Sequence, residues 1–391
     1  MTASAVCWVQ LDTKELAQAR LALHQLQKPG TIDELGFGPA RDHFAGSFFP
    51  AVTTIMTEIR YFMFLPEMLR RAAISSDPEK EMRQQEGKLL RDLKEAAKLS
   101  KTKVNGIIGA RSGEDVARFP HEVYWASIGS LGLLNRTGSP EDLYQGSRGA
   151  EINDDGESEG EGALDFLPEA LKLSCKALAD ASKSGFKLCS GERVYLRRLF
   201  LENHSESLFT YFLNHPKGRP FTNTDLPAAV AGNKALTHDL RIARGMSLVA
   251  RGAYLVYWHL AGKMAMDHPA ETGHLDSLDK WLAQSRAELK THGKLEKELN
   301  ASAIKQPLKI TPFIAFFLQQ ALKARSANDL VKRTHARVEQ QESATKPNRV
   351  RLQDKDLCLA GVRDREIPNG QIWTDYRWGV AADFLNRLVD V

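Results

Sequence analysis

The chain has 391 residues, 42% hydrophobic and 26% charged, with a net charge of +4. That length exceeds what one core usually supports, so two or three domains are expected, and the composition excludes a disordered or fibrous chain. Cys7, Cys175, Cys189 and Cys358 are scattered without CxxC spacing, which argues against a zinc site or a disulfide framework.

The opening MTASAVCWVQLD has neither the basic start nor the apolar run of a signal peptide. The most apolar windows, Ile59–Leu65 and Thr311–Leu318, fall far short of the ~20 residues a membrane span needs. A cytoplasmic location without membrane contact is expected. Cys7–Leu11 reads as a short strand. A first helix is predicted from Asp12 to about Leu26, with Glu15 completing a capping box and Leu16, Ala19, Leu23 and Leu26 on one face.

Gly30–Phe64 follows, dense in glycine, proline and threonine. Thr31-Ile32-Asp33-Glu34 reads as a capping box for a short helix, which Gly36 and Gly38 stop by taking positive φ. Pro39 then starts a helix carrying Arg41 and Asp42 outward. Thr53 or Thr54 is expected to cap a helix from Thr54 towards Arg71, kinked or ended near Pro66. Asp33, Glu34, Arg41, Asp42 and Arg60 are the charges of this block. They are read either as ion pairs of a tight corner or as a polar pocket or partner surface.

Asp77-Pro78 opens a charged helix to about Leu99, with Met82, Leu89, Leu93 and Ala96 as its apolar stripe. KVNGIIGARSG reads as a turn or short hairpin, with a strand piece near Ile107. Glu141–Asp165 carries nine acids against Arg148 alone, net −8, which leaves +12 on the rest of the chain. Rich in Gly and Ser with almost nothing to bury, this stretch reads as an acidic flexible linker. It divides an N-terminal helical domain, 1–138, from a C-terminal helical domain, 164–391, with 139–163 between them.

Beyond it, helices are predicted over Pro168–Ala181, Glu192–Leu201, Ser205–Leu213, Thr237–Lys263 and Leu275–Leu299. Others start at Thr311-Pro312 and cover Ser326–Gln341 and Val380–Val389. Small residues along Thr237–Lys263, among them Gly245 and Gly252, invite close approach by another helix. The fold class is mainly α: two helical domains joined by an acidic flexible linker, with few short strands.

No GxxxxGK[ST] or HExxH occurs, and a GxSxG triad cannot be assembled, so no cofactor or metal is expected. His215-Pro216-Lys217 lacks the second HxK copy that phospholipase-D chemistry needs. Asp279 with Glu288-Leu289-Lys290 has the letters of a metal nuclease but sits on a helical pattern. Lys323–Arg351 is the basic segment, net +5. Lys323, Arg325, Lys332, Arg333, Arg337, Lys346, Arg349 and Arg351 form either a solvated face or a sequence-independent phosphate contact to nucleic acid.

TIDELGFGPARD at Thr31–Asp42 and FFPAVTTIMTEIRYFMFLP at Phe48–Pro66 resemble an uncharacterised bacterial family, known only as domain of unknown function six-three-six-one. Weaker blocks follow at Gly106–Trp125, Leu196–Leu208, Ile242–Tyr257 and Tyr376–Trp378. FPAVTT stands where the family pattern has FPGTST, and Ile242-Ala243-Arg244 stands where it has His-Ala-Arg. The resemblance implies a setting rather than a reaction: accessory proteins of anti-phage defence islands, beside large helicases and phospholipase-D-like nucleases, as in Druantia- or DISARM-type systems. The function expected is a non-enzymatic accessory subunit that binds such a helicase or nuclease partner and contacts DNA. The alternative is a cryptic metal-dependent nuclease centred on the Asp33 and Asp42 region.

Overall fold

Helical periodicity dominates the chain, and the fold is mainly α. The computed structural model describes residues 33–101, 105–111, 116, 118–134, 151–152, 158–159, 167–216, 226–301, 309–363 and 377–389. The predicted strand Cys7–Leu11, the helix Asp12–Leu26, Cys7 itself and most of the acidic stretch lie outside them. Within that stretch, Glu151–Ile152 and Ser158–Glu159 pair antiparallel. Among the described residues, no helix is long and apolar enough to cross a membrane.

The chain divides into two compact units, each assembled from separated stretches. The first comprises Met1–Ala40 and Gly245–Trp373; the second comprises Arg41–Arg244 and Thr374–Val391. The divisions at Ala40 and Arg244 fall inside the helices Gly38–Phe48 and Lys234–Ala265. The sequence places a boundary at 139–163. The structure instead gives both flanks of that stretch to the second unit, because helix Pro168–Ser184 packs on Tyr61–Ala73 and Pro78–Leu99.

In the second unit, helix Tyr61–Ala73 is buried along nearly its whole length. It does not end at Pro66. Proline removes a backbone donor and displaces the preceding turn, and the Ser174 hydroxyl repairs the break from a neighbouring helix. It accepts from Glu67 N–H (3.0 Å) and donates to the Phe64 carbonyl (3.2 Å). Neither Thr53 nor Thr54 caps this helix; Arg60 occupies the cap position without a side-chain bond. Helix Pro78–Leu99 begins as predicted, with Asp77 accepting from Lys80 N–H. Met82, Leu89 and Leu93 point inward, and Glu86 shares their stripe.

The region near Ile107 holds turns rather than a strand, since Gly106 and Gly109 take positive φ. The loop leading to Tyr61 is clamped by Tyr124. Its phenol accepts from the N–H groups of Thr57 and Glu58 (3.1 Å each) and donates to the Glu58 carbonyl (2.8 Å). Burial pushes this phenol up to about 12. Helices Ser190–Asn203, Leu208–Asn214 and Trp378–Leu388 pack together beside these elements.

In the first unit, the predicted close approach along the long helix is present. A Cβ on Gly245 would lie 2.5 Å from the His292 ring, and one on Gly252 would lie 2.4 Å from the Trp281 ring. On Gly262 it would meet the Glu271 backbone at 2.8 Å. These glycines admit the next helix, His268–Thr291, which Asp267 caps by accepting from Ala270 N–H. The single helix expected over Leu275–Leu299 is two: the chain turns at residues 292–294 and restarts as Leu295–Ala301. Helices Thr311–Lys323 and Ala327–Thr345 complete this core around Trp281, Phe313 and Phe317.

Candidate functional site

In the first unit, the Gly30 block resolves into capping chemistry. Asp33 accepts hydrogen bonds from the N–H groups of Gly36 and Phe37 (2.9 Å each) and from Gly38 N–H, and from the Tyr254 hydroxyl at 2.6 Å. Helix N-termini leave backbone donors without intrahelical partners, and this carboxylate satisfies them for the helix starting at Gly38. Gly36 has φ +80°, as expected, and a Cβ there would approach Thr345 Oγ1 at 3.2 Å. Gly38 is not at positive φ; it opens the helix, with Pro39 second. Phe37 packs between Tyr254 and Phe313. Burial, then the Asp33 charge, holds the Tyr254 phenol well above its usual range.

Glu34 is 1% exposed and accepts from Arg351 Nη1 at 3.1 Å. Glu342 is fully buried. It accepts from the Tyr257 hydroxyl (2.6 Å) and from the N–H groups of Arg351 and Leu352 (3.0 Å each). Arg351 stacks on Trp258 at 5.3 Å, and its carbonyl accepts from Cys358 Sγ at 3.1 Å. Gln341 Nε2 donates to the Leu35 carbonyl at 2.9 Å. Burial lowers the half-buried Lys346 amine, against the pull of Glu34, and pushes the Cys358 thiol up to about 12. Buried charges persist only when paired and hydrogen-bonded. This cluster meets that condition for Glu34, Glu342 and Arg351.

The other three charges of the block belong to the second unit. Arg41 and Asp42 pair with each other at 2.9 Å and are about half exposed. Arg60 is 2% exposed. Its Nε and Nη2 grip Glu192 at 3.0–3.2 Å, and its Nη1 donates to the Gly185 carbonyl at 2.6 Å. Glu192 also accepts from Cys189 N–H at 2.8 Å, so one carboxylate both caps a helix and holds the arginine. The five charges therefore fall on both units. Arg41 and Asp42 contact each other.

Sequence reasoning missed the buried glutamates Glu67, Glu86, Glu192 and Glu342. Glu67 takes Arg70 and Arg71 at 2.8 and 2.6 Å. Burial raises its carboxyl, and the two guanidinium groups outweigh that to leave it lowered. Glu86 accepts from His121 N–H and lies 2.9 Å from His121 Nδ1. The readable signal was a carboxylate standing on an apolar stripe: Glu86 between Met82 and Leu89, and Glu342 in line with Leu330, Thr334 and Val338.

The basic segment divides. Lys323, Arg325, Lys332, Arg333 and Arg349 are exposed, while Arg337 and Lys346 are half-buried. Arg333 pairs with Asp329 at 2.9 Å, and Arg337 donates to Gln340. Arg351 leaves the exposed set, since its guanidinium is committed to Glu34 inside the unit. Asp279 accepts from Ala327 N–H at 2.7 Å and so caps the helix that carries these cations. Lys217 lies outside the described residues. Among the described residues, no group of three His, Cys, Asp or Glu side chains could hold a metal ion.

No curated protein and no solved structure matches the chain. The basic segment lies beyond the part of the chain that a known family covers. That family matches residues 3–305, and the chain belongs to it: the family of unknown function DUF6361.

Proposed function

We propose that the chain is a non-enzymatic accessory subunit of a bacterial anti-phage defence complex. It binds a large helicase or a phospholipase-D-like nuclease of the same system and contacts DNA through the basic helix. The observation that carries the DNA contact is the sorting of charge in the first unit. Asp33, Glu34, Glu342 and Arg351 are consumed by internal hydrogen bonds, whereas Lys323, Arg325 and Lys332 stand in solvent around one helix start. Cations on a surface reach phosphates without sequence readout. The family resemblance supplies the setting and the partner class. The test is co-purification of the tagged chain with the products of neighbouring genes, combined with a DNA-binding measurement and a phage-plating assay. Retention of a helicase or nuclease, DNA binding by the complex, and loss of protection on deletion are expected. A chain that purifies alone, binds no DNA and is dispensable for protection refutes the proposal.

A further inference from the structure

We infer that the basic helix Ala327–Thr345 and the corner before it grip the phosphate backbone of duplex DNA rather than a single strand, through Lys323 and Arg325 of the corner and Lys332 and Arg337 of the helix. This rests on the nucleic-acid reading above and names the form of the ligand.

The first observation is rigidity. The corner between helices Thr311–Lys323 and Ala327–Thr345 is tied on every side. Arg286 Nη2 donates to the Ala324 carbonyl, and Asp279 accepts from Ala327 N–H. Asp329 accepts from Arg325 N–H at 2.9 Å, and Ser326 Oγ accepts from Asp329 N–H at 3.2 Å. A duplex is a stiff ligand with fixed phosphate spacing, and a fixed scaffold of cations matches it with little ordering cost.

The second observation is what accompanies the cations. Single-strand binders stack bases on exposed aromatic rings, at about 1–3 kcal/mol per base. Among the described residues, the exposed large apolar side chains are Ile55, Ile74, Leu99, Val194, Met264 and Met266, none of them aromatic. Beside the basic helix, Phe313 and Phe317 are buried in the core and Phe316 is half-buried.

The third observation sets the charge count. Hydrogen bonding from Arg325 N–H, and then from Arg333, holds the Asp329 carboxyl below its usual range. It pairs with Arg333, leaving Lys323, Arg325, Lys332 and Arg337 as the four cations of the corner and helix that act, with Lys346 and Arg349 beyond the helix end. Asp329 and Asp279 also already serve this helix start, so side chains and not backbone N–H groups meet the phosphates.

The experiment is fluorescence anisotropy on the full chain, with a labelled 20-base-pair duplex of arbitrary sequence and each of its single strands, from 50 to 200 mM salt. Four phosphate contacts give a slope of about −3.6 in log K against log salt for the duplex, an affinity loss of ~150-fold across that range. Arg325→Ala with Lys332→Ala should reduce the slope by about 1.8 with an unchanged melting temperature, since both side chains are exposed. Duplex binding at least tenfold tighter than either single strand supports the inference. A duplex preference below tenfold, or tighter single-strand binding, overturns it while sparing the nucleic-acid reading, and so does a slope the double variant leaves unmoved. Failure to bind any nucleic acid overturns both.

Discussion

Replacing Arg60 with methionine tests whether the charges of the Gly30 block hold the fold. Methionine keeps most of the side chain's length and removes its charge. It strips Glu192, 2% exposed, of three hydrogen bonds and strips the Gly185 carbonyl of one. Removing one partner of a buried ion pair typically costs about 3–5 kcal/mol, because the remaining charge is left uncompensated. Asp180, 3.7 Å away but half exposed, adds little. Glu192→Gln is the matching change. It removes the charge and keeps an oxygen for Cys189 N–H. Urea unfolding followed by far-UV circular dichroism, with a constant m-value across the set, gives the four corners of a double-mutant cycle. The R60M variant should lose about 3–5 kcal/mol. The double variant should regain enough to give a coupling energy in the upper part of the roughly 0.5–3 kcal/mol seen for contacting residues. A coupling near zero would refute the argument, since Arg60 and Glu192 would then not depend on each other.

Two further outcomes follow from burial in the first unit and from a contrast between glycines. His274 is 5% exposed, and burial, then the charge of His259, lowers its pKa to about 4 from 6.5. The unfolded chain therefore takes up a proton below pH 6.5 that the folded chain refuses until about pH 4. Stability falls across that window by up to about 3 kcal/mol and is unaffected above it. His274→Leu should flatten that part of the pH–stability curve; an unchanged curve would show that the ring protonates freely in the folded state. Gly252→Ala should destabilise by about 1–3 kcal/mol, because its Cβ would sit 2.4 Å from the buried Trp281 ring. Gly87→Ala, whose Cβ would meet only Arg91 at 3.7 Å, should stabilise by about 0.5–1 kcal/mol through helix propensity. Equal melting shifts for the two would contradict the close approach of Trp281 to Gly252.

Local patterns were legible in the sequence wherever the determining residues lie within one or two helical turns. Asp77-Pro78 announces a helix start, and Met82, Leu89 and Leu93 announce its inner face. Glu86 on the same stripe could not be placed, because its partner His121 is 35 residues away. Pro66 reads as a break on local rules, and only Ser174, over a hundred residues downstream, explains why the helix continues. Sequence alone leaves the block charges open between ion pairs of a corner and a partner surface, and names a partner for none of them. Glu34 reads locally as the partner of Thr31 in a capping box, yet it turns to Arg351, 317 positions away. Arg351 in turn reads as one more member of a basic run. Charge runs cannot reveal which member folds inward, since that depends on what the opposite element offers.

These long-range pairs connect the two features that stand out in the sequence. Within the first unit, Gln341 donates to the Leu35 carbonyl, Thr345 lies against Gly36, and Arg351 meets Glu34. Each contact joins the Gly30 block to the C-terminal part of the basic helix or the turn after it. A buried ion pair adds little net stability compared with an apolar pair of the same shape, but a mismatched register leaves its charges unpaired at high cost. Glu34 and Arg351 tie the turn after this helix to the block, and a shifted register would leave both charges buried without each other. The Asp33 carboxylate fixes the turn from which Glu34, Leu35 and Gly36 project. Asp33, Glu34 and Gly36 are thus explained by the helix they hold. That helix lies beyond residue 305, where the family match ends. The block inside the matched region is consequently half of a structural device whose other half carries the exposed cations.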